Sequence, residues 1–396
     1  MGAPPTGPVW SPRVRVGCRP VRRRHPEPNA VVDRLDRARA VMRERGVDAL
    51  LVGPSADLRY LVGYHALPLE RLTLLVVPAE GDATLVAPAL EAPRARSSGA
   101  TDHAELATWE ETDDPVALVR DLLRAAGVGE DATYAVQDRL WTSFTLRLQD
   151  ALPARRWLPG SAVLRDLRIA KTADEVEALK RVGAAIDRVH EQVPTLLRPG
   201  RTEREVGRDI AERILEEHDE VNFVIVASGP NGASPHHETG SRVLEPGDAV
   251  VVDIGGTRDG YCSDMTRNYT LGPADPAYRE LHDVLEASQV AATEVVRPGI
   301  EAHEVDRVAR RIITEAGWGP QFLHRTGHGI GVEEHEEPWI VEGNDEPLVP
   351  GMAFSVEPGI YVADRWGARI EDIVVVTEVG ADRCNLLPRG LVEVDL

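Results

Sequence analysis

"RPGRTEREV" at residues 198–206 and "RPGIEAHEV" at residues 297–305 are separated by a shift of 99 residues, and their likeness decides the fold. Each follows a long helical stretch and leads into another, "RDIAERILEE" and "RVARRIITEAG". Each is then followed by two β-rich runs around a turn: "DAVVVDIGG" with "GYCSDMTRNYTL", and "MAFSVEPGIYV" with "ARIEDIVVVTE". Helix, RPG, helix and hairpin, twice over, predicts one domain built from two similar halves. Two copies are too few for a solenoid, so pseudo-twofold packing is expected.

Carboxylates recur in both hairpins. Asp253 and Asp264 sit eleven residues apart around Arg258–Asp259, and Glu357 and Glu371 sit fourteen apart around Asp364. Residues equidistant from a hairpin centre face each other with Cβ atoms about 4.5 to 5.5 Å apart. Each hairpin is therefore expected to present two acids on one face. "VVVDIG" and "FSVEPG" embed those acids in apolar runs, where opposed like charges are unfavourable. A divalent cation resolves the conflict. The competing reading makes them turn caps or salt-bridge partners of Arg267 and Arg369.

The histidines follow the same repeat. His236 and His335 also lie 99 apart, whereas His328, flanked by Gly327, Gly329 and Gly331, has no counterpart. Four carboxylates and one neutral imidazole are enough ligands for two divalent metals that share a water. The glutamates of "VEEHEEPW" (332–339) read as solvated. "HEEPW" is not HExxH, "HRTGHGIG" lacks the GK[ST] of a P-loop, and Ser263 with His328 lacks a GxSxG elbow.

The first half of the chain alternates helix and strand. Residues 30–46 carry Leu35, Ala38, Val41 and Met42 on one helical face and stop at Gly46. "DALLVGPS", "LTLLVVPA" and "DATLVAPA" read as short strands, and "DPVALVRDLLRAAGVG" returns to helical period. An α/β domain over residues 29–165 is expected. "RYLVGY" (59–64) reads as core or interface packing ahead of a ligand contact. Thr172 and Glu175 form a capping box that opens a long helix running to "LLRPG", at the start of a second domain over 166–396.

Of 396 residues, 42% are hydrophobic and 28% charged, the make-up of an ordinary globular protein. A formal net charge of -20 argues against nucleic-acid or anionic-membrane binding. No run reaches the roughly 18 to 20 apolar residues of a membrane span. Three cysteines (Cys18, Cys262, Cys384) without CxxC spacing fit a reducing compartment, hence a cytoplasmic location, and exclude a cysteine-rich zinc site. Residues 1–28 are rich in Pro and Arg without a signal-like apolar core, and read as a disordered extension or an early start codon.

With "VVDIGGTRDGYCSDMTRN", "HRTGHGIGVEEHE", "SVEPGIY" and "RIEDIVVV", the chain resembles the pita-bread metallopeptidases (M24) of the prolidase and aminopeptidase P branch. The resemblance covers about residues 170–396, with a creatinase-like α/β domain before them. It implies a pita-bread α+β fold in which Asp253, Asp264, His328, Glu357 and Glu371 bind two metals, Asp264 and Glu371 bridging. It implies substrate-side roles for His236 and His335, which steady the carbonyl oxygen and the tetrahedral intermediate. Arg369 matches an arginine near the bridging Glu371 that helps position substrate, and His324 matches a further histidine on the pocket rim. A hydroxide between the metals is then expected to attack the bond before proline, with Glu357 as general base.

The implied activity is that of an Xaa-Pro dipeptidase. The alternatives are an Xaa-Pro aminopeptidase, or a hydrolase or lyase of a small non-peptide substrate. A metal-free creatinase-like reaction or a pure binding module fits poorly with five retained ligands. Oxygen-rich ligation suits Mn²⁺, with Co²⁺ and Zn²⁺ as alternatives. The resemblance also implies a homodimer acting on small peptides.

Overall fold

The computed structural model describes residues 28–396, with side chains from residue 34 onward. The Pro/Arg-rich segment up to residue 27, Cys18 included, lies outside the described residues. The helix Pro28–Arg45 buries Leu35, Ala38 and Met42 and stops at Gly46, which takes φ 63°.

A six-stranded mixed sheet follows, in the spatial order 105–109, 84–88, 74–78, 49–52, 132–136, 154–159. Its central strand Ala49–Val52 pairs antiparallel with Leu74–Pro78 and parallel with Ala132–Val136. Because side chains alternate across a strand, Leu50 and Val52 enter one core and Ala49 and Leu51 the other. The first of these cores continues through Tyr261, Ile330, Val332 and Ile373, so apolar packing joins the two halves of the chain. In "RYLVGY", Tyr60 and Tyr64 are buried, and the Tyr60 hydroxyl donates to the Leu167 carbonyl at 3.1 Å.

Thr172 and Glu175 close the predicted capping box on the helix Ala173–His190. That helix ends seven residues sooner than the sequence suggests, and the short helix Val193–Leu196 follows it. Pro194 lies in the first turn of the second helix, where its missing N–H belongs to no ladder.

The 99-residue repeat is present in three dimensions. The helices Glu203–Glu217 and Ala302–Glu315 begin 99 residues apart, and both are preceded by a left-handed glycine, Gly200 at φ 88° and Gly299 at φ 84°. The Gly200 N–H donates to the Leu244 carbonyl at 2.9 Å, and the Gly299 N–H donates to the Leu348 carbonyl at 2.8 Å. Each half packs its helices over a sheet of its own. Ile186, Val206, Ile210 and Ile214 lie on Val250, Val252 and Ile254, whereas Leu281, Leu285, Val305 and Ile313 lie on Phe354, Val356 and Val374. The C-terminal strand Val392–Val394 pairs in parallel with Met265–Leu271 and completes the first half's sheet.

Three buried histidines in this scaffold are held neutral. His190 is pushed down to about 3, and His218 and His282 to about 4; burial is the largest cause in each, and a nearby arginine adds to it. The His190 nitrogens meet the Tyr269 hydroxyl and the Met265 carbonyl, both at 3.0 Å, whereas neither nitrogen of His282 reaches a protein partner. An unfolded histidine titrates near 6.5, so below that pH the unfolded chain binds more protons. The stability from these groups is intact above about 6.5. It is lost as pH falls toward their folded values, at up to about 1.4 kcal/mol per unit for each. His282→Leu is expected to gain stability, more at pH 5 than at pH 7, in urea unfolding; an equal gain at both would count against a neutral buried ring.

Candidate metal centre

Three of the four hairpin acids, Asp264, Glu357 and Glu371, sit where their ladders break. Asp253 lies within the strand Ala249–Arg258, paired with Thr266. Asp264 falls between Tyr261–Cys262 and Met265–Leu271, in a register that puts it opposite Gly255. It is therefore a diagonal neighbour of Asp253 on the same face, and the direct opposition expected from the spacing is off by two residues. The turn explains the slip. Arg258 pairs with Tyr261, and Asp259 and Gly260 both take positive φ (51° and 85°), so the hairpin centre lies one residue later than assumed.

In the second half the expectation is met. Glu357 lies between Ala353–Val356 and Gly359–Val362, and Glu371 between Trp366–Arg369 and Asp372–Val376. Val356 pairs with Asp372 and Gly359 with Arg369, so the two glutamates face each other between the ladders.

The two pairs meet. Ligand atoms of Asp253, Asp264 and Glu371 lie within 4.8 Å of one another, as do those of His328, Glu357 and Glu371. Glu371 is common to both sets. Asp264 also groups with His328 and His335. His328 Nδ1 donates to the Gly329 carbonyl at 3.1 Å, which turns Nε2 toward the acids, 3.1 Å from Glu357 and 3.8 Å from Asp264. Asp264 Oδ1 and Glu371 Oε1 are buried without a hydrogen-bond partner. Burial and the neighbouring carboxylates raise both groups well above the usual range. Burial pushes Glu357 up as well, but its contact with His328 reverses this and holds it at about 2. Orphaned oxygens in an oxygen-rich pocket with one imidazole fit divalent cations.

The remaining predicted residues surround this cluster. The His335 ring stands edge-on to His328 at 4.0 Å between centroids, and is depressed to about 4, first by burial and then by His328. His236, exposed, is within electrostatic reach of His335 and His324. Arg369 is buried and committed to the protein: it reaches Asp253 Oδ2 at 2.5 Å, the Tyr361 hydroxyl at 2.8 Å, the Pro235 carbonyl at 3.1 Å and Thr266 Oγ1 at 3.1 Å. The Tyr361 hydroxyl in turn donates to His324 Nε2 at 2.9 Å, and His324 Nδ1 donates to the Arg325 carbonyl at 2.7 Å. Of the four acids, Asp253 alone has the arginine partner that the salt-bridge reading required; Arg267 pairs with Asp372 instead, at 2.6 Å.

Comparison with known proteins agrees with this geometry. Residues 177–378 match the model of metallopeptidase family M24, and residues 34–170 match that of the creatinase/prolidase N-terminal domain. The chain belongs to metallopeptidase family M24. This M24 chain is 50% identical to a probable dipeptidase PepE of Mycobacterium tuberculosis over 364 residues, 91% of this chain and 96% of the relative. It is 34% identical to an Xaa-Pro dipeptidase of Lactobacillus helveticus over 354 residues, 87% of this chain and 95% of that one. Its structure matches that of dipeptidase PepE from Mycobacterium ulcerans with a TM-score of 0.88 at 49% identity, covering 93% of this chain and 99% of that chain.

Several residues of this M24 site were not singled out by the sequence. The Thr266 hydroxyl lies 2.8 Å from Asp253 Oδ1 and 2.9 Å from Glu371 Oε2, and Ser355 Oγ donates to Glu357 at 3.0 Å. Thr266 could have been found from the register, as the residue opposite Asp253; Tyr361 stands in the quoted "SVEPGIY". The glutamates around His335 correct an expectation. Glu336 is only 8% exposed and Glu333 19%; both are ion-paired to Arg168. They are paired rather than solvated, with Arg168 reaching both from more than 160 residues earlier in the chain.

Proposed function

We propose that the protein is an Xaa-Pro dipeptidase that uses two divalent ions, with Mn²⁺ the expected metal, and acts as a cytoplasmic homodimer on small peptides. The observation that carries this reading is the buried set of four carboxylates and one imidazole with two unpaired oxygens, in a chain akin to Xaa-Pro dipeptidases over most of its length. Asp253, Asp264, His328, Glu357 and Glu371 would hold the ions. When bound, these ions supply Lewis acidity to the scissile carbonyl and acidify a water.

The chain's own residues do the rest. Glu357, kept ionised beside His328 and oriented by Ser355, takes the proton released by the attacking water. His335, neutral at physiological pH, and His236 each offer an N–H to the developing oxyanion. Arg369 acts on substrate indirectly, by fixing Asp253, and His324 does so through Tyr361. The test is hydrolysis of Ala-Pro, Ala-Pro-Ala and Ala-Ala by metal-stripped protein with and without Mn²⁺. Mn²⁺-dependent cleavage of Ala-Pro alone is expected. Cleavage of the tripeptide moves the assignment to an aminopeptidase, and full activity without metal overturns it.

A further inference from the structure

An ion cluster with His335 at its edge is buried at Arg168 and Lys171 and open to solvent at Arg139. Arg168, the last residue of the helix Ser161–Arg168, has a side chain 10% exposed. Its Nη1 donates to Asp57 at 2.6 Å, and its Nη2 donates to Glu333 at 2.6 Å and also to Glu336. Lys171, 3% exposed, donates to the other Glu336 oxygen at 2.6 Å, and Arg139 pairs with Glu333 at 2.6 Å. Three cations thus face three carboxylates. Two of the carboxylates flank His335 in sequence, and the third, Asp57, belongs to the first domain's helix Ala56–Val62.

The cluster is uneven. Burial would raise Glu336, but Lys171 and Arg168 overturn this and hold it below its ordinary value. Burial wins at Asp57, which is raised despite the same guanidinium. Geometrically, Arg168 reaches two carboxylates of the His335 segment and one of the helix Ala56–Val62. Glu336 also opens the strand Glu336–Ile340 that pairs with Gly327–Gly329, the strand of His328. Pinning Glu333 and Glu336 fixes both ends of the bend that carries His335 toward His328.

We propose that Arg168, assisted by Lys171, is a positioning residue for catalysis: through Glu333 and Glu336 it sets where His335 presents its ring to the substrate carbonyl. The proposal deepens the dipeptidase reading and rests on it for the role of His335. A guanidinium suits this task, because its planar fork serves several carboxylates from one fixed side chain. The same cluster could serve only to glue the domains together, and the test must separate the two.

The variants are Glu336→Gln, Asp57→Asn, His335→Ala and the double variant His335→Ala/Glu336→Gln, each loaded with Mn²⁺ and checked for metal content. Glu336→Gln is expected to lower kcat on Ala-Pro about 10- to 100-fold with KM little changed, the size of effect seen when an outer partner of a site is lost. In the double variant it is expected to add little to the loss from His335→Ala, since both act through one imidazole. Asp57→Asn is expected to lower the melting temperature with a kcat within about threefold of wild type. Fully additive losses, or Glu336→Gln lowering only the melting temperature, overturn the proposal. Amide hydrogen exchange over residues 331–337 gives a readout that does not need the substrate. It should quicken in Glu336→Gln and not in Asp57→Asn, and equal quickening in both overturns the proposal. Wild-type protein that cleaves no Xaa-Pro peptide refutes the dipeptidase reading, leaving the exchange result to decide the placement of the loop.

Discussion

Asp264→Asn is expected to lower turnover of Ala-Pro by at least about 10³-fold while making the metal-free protein more stable. The two effects share one cause. Asp264 is buried against Glu371, Asp253 and Glu357, and its Oδ1 has no partner. A divalent ion turns that crowding into ligation; without one, the crowding is repulsion. The sign follows from the raised folded pKa. Such a group stabilises fully below about 3.9, the value for an unfolded aspartate, and its contribution is lost as pH rises through the folded value. The metal-free wild type therefore carries a penalty that grows by about 1.4 kcal/mol for each pH unit above about 3.9 until the raised folded value is reached. An asparagine carries no charge to repel, and its amide can donate to a neighbouring carboxylate. Calorimetric melting in chelator and in Mn²⁺ reads both halves. The wild type should gain far more from Mn²⁺ than the variant, and the variant should melt higher in chelator. A variant that melts lower in chelator would mean that something other than a cation balances Asp264.

What the sequence made legible was periodic or local. The 99-residue repeat located the paired helices, and the capping box located the helix Ala173–His190, because both are encoded within a few adjacent residues. The Glu357–Glu371 pairing was readable because the ladders on either side of it share one register. The Asp253–Asp264 pairing slipped because the hairpin centre was placed at Arg258–Asp259, although Asp259-Gly260 is itself a two-residue hairpin signal. What stayed hidden was non-local. "EEHEE" looks solvated until Arg168 and Lys171 arrive from more than 160 residues earlier in the chain. The contacts of Arg369 with Asp253 and Tyr361 likewise join residues that the sequence does not place together. In "RIEDIV", Glu371 and Asp372 are adjacent acids with unrelated fates: one faces the candidate metal site, and the other is the shared partner of Arg267, Arg383 and Arg389 behind it.

Gly329→Ala is expected to destabilise the protein by at least about 3 kcal/mol and to weaken metal binding, the upper end of what overpacking does. Gly329 follows the metal-facing His328 and pairs with Glu336 on one side and Phe354 on the other. A Cβ added there would lie 2.2 Å from the Glu337 carbonyl oxygen, 2.4 Å from its carbon and 2.7 Å from the Glu336 oxygen. All three are backbone atoms, so no side chain can swing aside. The strand Glu336–Ile340 would have to retreat by about 1 Å, and a shift of that size at a reacting group can cost about 10²-fold in rate. His335 precedes that strand and Glu336 opens it, so the displacement reaches the metal cluster and the Arg168 network together. Gly380→Ala is the control: its nearest neighbour beyond the adjacent residues is a carbonyl oxygen at 4.0 Å, and a change within about 0.5 kcal/mol is expected. Urea unfolding and Mn²⁺ titration of both variants check the contrast. If Gly329→Ala behaves like Gly380→Ala, the glycine is not what lets these strands approach, and the close packing of "GHGIG" against "EEPWI" must be maintained in some other way.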